Sequence, residues 1–377
     1  MGLFAGIGGI ELGLERAGFE GALLCEVDSA AQAVLEDRFQ GVPRHRDITD
    51  LENLPEAAVV AAGFPCQDLS QAGRTQGISG SQSSLVEHVF RLLDGASPQW
   101  LLLENVSFML RLDRGGAMAY LVDELTRRGF RWAYRVVDSR SFGLPQRRQR
   151  VVLLASREED PRPLLFGEEA GEPEPPSPEG RACGFYWTEG SRGWGWAVDS
   201  IPTLKGGSAI GIPSPPAIWM PDGSIVTPEI RDAERLQGFE ADWTEAASGL
   251  KRGNGQRWRL VGNAVSVPVA EWLGERLLAS HPEFDPDDSR ELEQGRPWPN
   301  AAWGEDGRTH VIERSMWPRA ETSTPLAQFL EFEPAPLSAR ATAGFLGRAA
   351  RSSLNISPRL IEALELHLER MKSSQAA

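Results

Sequence analysis

Cysteine, lysine and long apolar runs are all scarce in this chain of 377 residues. Its three cysteines, Cys25, Cys66 and Cys183, are too few and too scattered for a disulfide framework or a zinc site built on a cysteine pair. No run of about 18 apolar residues occurs that could cross a bilayer, and the first residues lack the basic-then-apolar pattern of a signal peptide. We therefore expect a soluble, cytoplasmic protein with no bound metal and no membrane partner.

Positive charge is also scarce, and almost all of it is arginine. The chain has 53 acidic and 39 basic residues, and its formal net charge of −14 argues against a nucleic-acid coat protein. Lys205, Lys251 and Lys372 are the only lysines. Arginine suits phosphates and base edges, but a GC-rich genome also enriches it, so the arginine count alone does not identify a ligand. The composition, with 41% hydrophobic residues, is that of a globular chain.

Short apolar runs indicate buried strands. They occupy residues 22–25, 58–62, 100–103 and 151–154. Runs of this length, separated by amphipathic stretches, are typical of parallel strands in an α/β sheet. The first three runs are followed closely by Glu26, Cys66 and Glu104. Because ligands of such sheets bind outside the carboxyl ends of the strands, these three side chains are candidates for a functional site.

Composition changes after the fourth run and divides the chain. Residues 157–180 carry eight acids, two arginines and six prolines, which is typical of a solvated linker, and the following stretch predicts a small irregular or β-rich insert. We therefore predict a catalytic domain of residues 1–156 and 229–280, a linker and insert of residues 157–228, and a C-terminal extension of residues 281–377 without an assigned role. Helices are predicted at residues 11–17, 118–128, 228–238, 267–279 and 357–371. The last of them is expected to pack on the core.

A glycine-rich turn precedes the first predicted helix, between Phe4 and Gly9. Its spacing is not that of a dinucleotide fingerprint, and such turns are often only tight turns. Glu26 favours a ligand site at this turn, because an acid at the end of the next strand can accept hydrogen bonds from two ribose hydroxyls. Asp47 is placed to bind an adenine amino group. For both acids a helix N-cap or a surface charge is the alternative, and for Asp47 it is an equal one.

Cys66 follows Pro65 at the end of the second predicted strand. A lone cysteine is usually a small buried hydrophobe. Here a polar segment rich in glycine, serine and glutamine comes next, and residues 67–90 suit a mobile active-site lid. A nucleophile is therefore the preferred interpretation. At Glu104, apolar surroundings would raise the carboxyl pKa towards a value useful for proton donation. Arg148 and Arg150 alternate at the start of the next strand and are expected to share a face, where they would attract an oxyanion, a phosphate or a carbonyl.

Seven segments together resemble the DNA (cytosine-5)-methyltransferases of bacterial and phage restriction-modification systems. In family order they are Phe4-Ala5-Gly6-Ile7-Gly8-Gly9, Glu26, Gly63-Phe64-Pro65-Cys66-Gln67, Glu104-Asn105-Val106, Gln146-x-Arg148-x-Arg150, Arg235-Leu236-Gln237-Gly238-Phe239 and Gly262-Asn263-Ala264-Val265. The resemblance covers residues 1–280 and implies a Rossmann-like methyltransferase sheet that binds S-adenosyl-L-methionine. It also implies that the insert before Arg235 is the target-recognition region.

The resemblance implies roles for individual residues. Cys66 would add to C6 of a cytosine flipped out of duplex DNA, Glu104 would bind its N3 and amino edge, and Arg150, supported by Arg148, would hold O2 or the neighbouring phosphate. Cofactor contacts are implied for Phe4, Ala5, Gly6, Gly8, Gly9, Glu26, Val27, Asp47, Ile48, Pro65, Asn263 and Val265.

DNA contacts are expected at three places. Gln67 and Ser70 lie in the predicted lid, and Thr203-Leu204, followed by Lys205, resembles the family's threonine–leucine anchor, although a plain turn is the alternative. Lys251, Arg252, Arg257 and Arg259 form a cluster without an intervening acid and are the phosphate-contact candidates outside the active site. The expected partners are double-stranded DNA, which would hold this monomer on the nucleoid, and a cognate restriction endonuclease.

Two other functions stay open. The first is an RNA methyltransferase of the same fold that modifies tRNA. That branch carries a Cys-Phe-Thr signature in its insert, whereas here Cys183 is followed by Gly184 and Phe185. The second is a catalytically inactive DNA-binding regulator, against which the complete set of Cys66, Glu104, Arg148 and Arg150 argues.

Overall fold

The computed structural model describes residues 1–65, 85–191, 193–207, 213–250, 254–285, 288–293 and 295–376. The chain forms two compact units. The first comprises Met1–Ser141, Gln149–Glu172 and Val265–Ala320, and the second comprises Phe142–Arg148, Pro173–Ala264 and Glu321–Ala377. The predicted domain boundaries differ from this division, because residues 229–264 belong to the second unit and the C-terminal extension is shared by both.

Strands and helices are numbered along the whole chain. The strands are β1 (Gly2–Leu3), β2 (Leu24–Cys25), β3 (Arg44–His45), β4 (Val59–Ala62), β5 (Trp100–Val106), β6 (Arg131–Asp138), β7 (Gln146–Arg147), β8 (Gln149–Ser156), β9 (Cys183–Phe185), β10 (Trp196–Val198), β11 (Ile201–Pro202), β12 (Ala217–Trp219), β13 (Ile225–Thr227), β14 (Ser289–Glu291), β15 (Ala301–Glu305), β16 (Arg308–Ile312) and β17 (Ala335–Pro336). The helices are α1 (Gly9–Arg16), α2 (Ser29–Arg38), α3 (Leu85–Asp94), α4 (Gly116–Arg127), α5 (Arg162–Phe166), α6 (Ile230–Arg235), α7 (Asn254–Asn263), α8 (Val267–Leu278), α9 (Leu326–Phe329), α10 (Ala339–Ala349) and α11 (Pro358–Ala376). No helix of the described residues is long and apolar enough to cross a membrane.

The first unit is built on a mixed sheet in the order β14-β16-β15-β6-β8-β5-β4-β1-β2-β3. Strands β3, β2, β1, β4 and β5 pair in parallel. The first three apolar runs predicted β2, β4 and β5 among them. The fourth run forms β8, which is antiparallel to both β5 and β6. A strand buried on both faces has the same apolar pattern in either direction, so the sequence could not reveal this reversal. The predicted α/β class is confirmed.

The acidic stretch after β8 is only partly a linker. Residues 157–172 belong to the first unit, where Glu168 accepts hydrogen bonds from Trp272, Arg276 and Arg319. Glu169 pairs at 2.6 Å with the fully buried Arg135. Composition alone suggested a solvated segment because these partners come from distant parts of the chain. Residues 173–180 are exposed, as expected of a linker.

The C-terminal extension completes both units. Its first part supplies β14, β15 and β16, and β15 pairs with β6 in the first unit. Its second part supplies β17, α10 and α11 to the second unit.

The second unit contains an antiparallel sheet in the order β10-β9-β12-β13-β17, which confirms the β-rich insert. Helices α10 and α11 pack on this sheet, since Phe345, Leu360 and Leu364 share a buried core with Phe185 and Ile225. The predicted C-terminal helix therefore exists and packs on a core. Helices α1, α4, α6 and α8 match the other helix predictions.

Candidate active site

The predicted site residues of the first unit lie at one edge of its sheet. Phe4, Glu26 and Gly63 directly follow the last residues of β1, β2 and β4, which are paired in parallel register. Leu103 of β5 pairs with the last residue of β4, so Glu104 lies at the same level. The carboxyl ends of four parallel strands thus bring the glycine-rich turn and both acids together, which is where α/β sheets bind ligands.

The glycine-rich turn is tied to Glu26 by hydrogen bonds. The main-chain N–H groups of Gly6 and Asp28 each donate to one Glu26 carboxylate oxygen, both at 2.8 Å. Gly8 has a φ of 82°, and an added β-carbon there would lie 2.2 Å from the Phe39 ring. At Gly6, by contrast, an added β-carbon would have no atom within 4 Å. The turn is therefore packed against Phe39 at Gly8 and open at Gly6. The Glu26 carboxylate, oriented by these two hydrogen bonds, keeps lone pairs for two further donors.

The other predicted cofactor contacts around this turn have varied surroundings. Phe4 has a φ of 58°, and the N–H of Ala5 donates to the carbonyl of Cys25 at 3.0 Å. Val27 is 58% exposed, whereas Ile48 is buried. A large exposed hydrophobic side chain next to Glu26 is available to contact a ligand.

Asp47 makes a local contact within a turn, and no helix begins there. Its carboxylate accepts from the N–H of Thr49 at 2.9 Å, and hydrogen bonds from the main chain and side chain of Thr49 lower the Asp47 pKa. A carboxylate with two acceptor oxygens can serve both roles. Binding of a cofactor amino group by Asp47 stays a prediction.

Glu104 and Arg150 form an ion pair at the same edge. The Arg150 Nε lies 2.9 Å from Glu104 Oε1, and the two side chains are only 12% and 11% exposed. The pairing follows from the sheet, because Arg150 of β8 lies opposite Val106 in the ladder between β5 and β8. An added β-carbon at Gly63 would lie 3.7 Å from the other Glu104 oxygen. The acid is thus placed between Arg150 and the chain segment that leads to Cys66.

That segment is held by Asn105, which sequence reasoning quoted only as part of a motif. Its Nδ2 donates to the carbonyl of Phe64 at 2.9 Å, and its Oδ1 accepts from the N–H of Val106. Asn105 is buried, so its amide fixes the chain two residues before Cys66 to the end of β5.

Several predicted residues lie outside the described residues: Cys66, Gln67, Ser70, Lys251 and Arg252. The last part of the predicted lid is described, and there the prediction is wrong. Residues 85–90 begin α3, whose Val86, Val89 and Phe90 are buried in the core of the first unit. The polar composition that predicts a lid ends at Ser84, and the spacing of Val86, Val89 and Phe90 is that of an amphipathic helix.

The two described cysteines have buried thiols. Cys25 is 2% exposed and Cys183 is fully buried. Burial raises the pKa of the Cys25 thiol to about 12 and that of Cys183 to about 11. Since the thiolate is the reactive form, neither is suited to nucleophilic chemistry near neutral pH.

We expect iodoacetamide at pH 8 to modify native protein at Cys66 and to spare Cys25 and Cys183, because the thiols of the latter two are buried and protonated. Peptide mass spectrometry of the alkylated protein measures this, and denatured protein, in which all three should react, is the control. Equal labelling of the three thiols in native protein would contradict the assignment.

Asn263 and Val265, the predicted cofactor contacts of the last motif, belong to different units. Val265 lies in the first unit, where its Cγ2 would be 3.9 Å from a β-carbon added at Gly63. Pro65, which follows Gly63 by two residues, is exposed. Asn263 is exposed at the end of α7 in the second unit. Val265 is therefore beside the candidate site of the first unit.

Arg148 differs from its predicted role. It lies between β7 and β8, so the strand alternation that would place it on the same face as Arg150 does not apply. Its buried guanidinium donates to the carbonyls of Leu204, Gly262 and Ala264 at 3.1, 3.2 and 2.5 Å. Arg148 therefore acts in the second unit as a positioning residue, which holds the Thr203-Leu204 segment against the end of α7.

Two glutamines extend this buried network. Gln146 accepts from the N–H of Leu204 at 2.9 Å and donates to the carbonyl of Leu236 at 2.7 Å. Gln237 donates to the carbonyl of Val261 at 2.8 Å. Both glutamines belong to motifs of the sequence, and no local pattern predicts their buried contacts. The network of Arg148 and these glutamines joins the motifs that contain Gln146, Gln237 and Gly262 to residues 203–205, which we call the anchor segment. Polar side chains are needed at these buried positions because buried polar groups require hydrogen-bond partners.

The anchor segment presents Lys205 to solvent. Thr203 Oγ1 donates to the carbonyl of Arg147 at 2.8 Å, and the Tyr186 hydroxyl donates to the carbonyl of Thr203 at 2.6 Å. Lys205 is exposed, pairs with Glu189 and lies 4.0 Å from the centre of the Tyr186 ring. A cation fixed beside a rigid turn suits a phosphate contact, and that role stays a prediction.

Arg257 is not available for the phosphate contact that was predicted. It is 4% exposed and pairs with Glu234, Asp242 and Glu245 at 3.0, 3.2 and 2.6 Å. These three acids come before residues 251–259 in the sequence. The absence of acids within the basic cluster therefore did not reveal the pairing. Arg259 is partly buried and makes other contacts.

Comparisons with known proteins agree with this arrangement. Residues 1–181 match the model of the family "C-5 cytosine-specific DNA methylase". The Type II methyltransferase M2.BsuMI of Bacillus subtilis (strain 168) is 50% identical over 376 residues, which cover 96% of each chain. The Type II methyltransferase M.NlaX of Neisseria lactamica is 29% identical over 317 residues, covering 74% of this chain and 95% of that one.

Among solved structures, the S. pombe Dnmt2 methyltransferase superposes with a TM-score of 0.52 at 17% identity, over 73% of this chain and 97% of that one. At this identity the likeness concerns the fold alone, and it agrees with a Rossmann-like methyltransferase sheet. The identity with the Bacillus enzyme extends over almost the whole of both chains. The protein therefore belongs to the C-5 cytosine-specific DNA methylase family.

Proposed function

We propose that the protein transfers a methyl group from S-adenosylmethionine to C5 of a cytosine within a short specific sequence of duplex DNA. The observation that carries this proposal is the Glu104–Arg150 pair beside Gly63, at the strand edge from which the chain continues to Cys66. The turn held by Glu26 at the same edge supports a cofactor site there.

Cys66 supplies the activation that cytosine C5 requires. Its thiolate adds to C6, so that the electrons of the C5–C6 double bond make C5 a nucleophile. When bound, S-adenosylmethionine would supply the methyl group to C5, and the electrons of the broken S–CH3 bond would leave with S-adenosylhomocysteine. Loss of the C5 proton and expulsion of the Cys66 thiolate restore the aromatic ring.

Glu104 and Arg150 would hold the base during this addition. The carboxyl group of Glu104 suits N3 and the exocyclic amino group, and the Arg150 guanidinium suits O2. Because one ion pair joins the two side chains, they would meet the same edge of one base. Charge that develops on the ring would then be stabilised by groups that are already oriented.

A cytosine inside a duplex cannot reach these groups, because stacked neighbours cover both faces of its C5–C6 bond. The base would therefore rotate out of the helix, as nucleobase-modifying enzymes generally require. In the second unit, Thr203, Leu204 and Lys205 would contact the DNA backbone.

Glu26 fits the ribose of the cofactor. Its two oxygens are fixed by main-chain donors and retain capacity for the ribose hydroxyls, while the open side of Gly6 leaves room for a ligand close to the backbone. Since the named bacterial relatives are Type II methyltransferases, a cognate restriction endonuclease is the proposed functional partner of this monomer.

We expect wild-type protein to transfer tritiated methyl groups from S-adenosylmethionine to duplex DNA and not to tRNA. Filter-bound radioactivity measures the transfer, and bisulfite sequencing of host DNA after expression locates the modified cytosines. Labelled tRNA with unlabelled DNA would assign the protein to RNA instead.

A further inference from the structure

One segment of the second unit has a charge opposite to that of the whole chain. Residues 334–361 contain four arginines and no aspartate or glutamate, although the chain as a whole has 53 acidic residues. The segment forms β17, α10 and the beginning of α11. The segment therefore concentrates positive charge along the sequence, which the net charge of the whole chain conceals.

Helix α10 is rigidly attached to the second unit. Phe345 packs on Phe185 with ring centres 5.3 Å apart, and Arg348 Nε donates to the carbonyl of Glu189 at 2.9 Å. The carboxylate of the same Glu189 pairs with Lys205. The loop that carries Glu189 therefore connects α10 to the anchor segment that is proposed to hold DNA.

The outer face of α10 suits close approach by a polyanion. Arg340, the second residue of α10, and Arg351, two residues beyond its end, are both exposed, and eleven residues of helical rise would separate them by about 16 Å. Between them the face carries only small residues, including the exposed Ala343 and Ala350. Among the described residues, neither arginine has an ion-pair partner. Small side chains between two available cations allow a phosphate backbone to reach both.

We propose that Arg340 and Arg351 contact the phosphate backbone of the bound DNA duplex, which makes the C-terminal extension part of the DNA interface. The inference rests on the proposed function and adds a surface outside the residues that the family motifs contain. Contacts of this kind position a duplex and contribute affinity, and they carry no sequence information.

The test compares R340Q/R351Q with R290Q/R308Q, a pair of exposed arginines on β14 and β16 of the first unit that removes the same charge. Fluorescence anisotropy measures the Kd for a labelled duplex that carries a methylation site, across a salt series. We expect R340Q/R351Q to bind about 5- to 30-fold more weakly, and its salt slope to fall by about 1.8, because each lost phosphate contact removes about 0.9. The KM for DNA in methyl transfer should rise with the Kd, and R290Q/R308Q should behave as wild type in both binding and methyl transfer.

Equal Kd values and salt slopes for the two double variants would overturn the inference, while methyl transfer by wild type would still support the proposed function. A wild type that transfers no methyl group to DNA would instead remove the proposed function. Analytical ultracentrifugation tests whether this surface binds a second copy of the chain instead of DNA. A wild type that is dimeric, with an R340Q/R351Q variant that is monomeric and binds DNA as tightly as wild type, would overturn the inference.

Discussion

Replacement of Cys66 by alanine is expected to lower the rate of methyl transfer at least about 10⁴-fold, because neither Cys25 nor Cys183 can form the covalent adduct that activates C5. Cys25 and Cys183 are buried, and their raised thiol pKa values keep them protonated. DNA binding should persist, since the proposed backbone contacts lie in the second unit. Single-turnover transfer from tritiated S-adenosylmethionine measures the rate, and anisotropy measures the binding.

The matched control is Cys183→Ala, which removes a buried thiol from the sheet of the second unit and should retain transfer. A Cys66→Ala protein that still methylates DNA within tenfold of wild type would rule out covalent catalysis by this residue.

Replacement of Arg257 by methionine is expected to lower the free energy of unfolding by about 3 to 5 kcal/mol, because it leaves a buried acid without its partner. Glu234 is fully buried and pairs with Arg257 at 3.0 Å. Arg257 Nε also donates to Thr244 Oγ1 at 3.0 Å, so the substitution breaks a network as well as an ion pair. Urea unfolding followed by tryptophan fluorescence measures the change.

Arg290→Met, at an exposed position, is the control and should change stability by less than about 0.5 kcal/mol. The result separates two roles for Arg257. A stable Arg257→Met protein with weaker DNA binding and a smaller salt slope would restore the phosphate contact that the sequence suggested, and would contradict the buried network.

Much of the sheet edge of the first unit was predictable from sequence, because β2, β4 and β5 contain short apolar runs that a chemically active residue follows closely. Glu26 and Glu104 could be placed at the carboxyl ends of strands without any knowledge of the strand order. The glycine pattern at Gly6 and Gly8 likewise predicted a tight turn, which the structure has. These features depend on neighbours in sequence, which is why a pattern reveals them.

The roles of Arg148 and Arg257 were not predictable in the same way. Both look like surface cations because their own segments are basic, yet each is buried against partners from other segments. Arg148 meets carbonyls from 56 to 116 residues away along the chain. The C-terminal extension shows the same limit, since its division between the two units depends on pairing of β15 with β6 and of β17 with β13. Long-range pairing of this kind leaves no local pattern.

Covalent trapping tests the central claim most directly. A duplex in which the target cytosine carries fluorine at C5 cannot lose a proton from that carbon after methyl transfer, so the Cys66–C6 bond should persist. We expect wild-type protein, incubated with this duplex and S-adenosylmethionine, to give a denaturation-resistant complex whose mass spectrum places the nucleotide on Cys66. Absence of a complex from protein that binds the same duplex, or attachment at any other residue, would contradict the account.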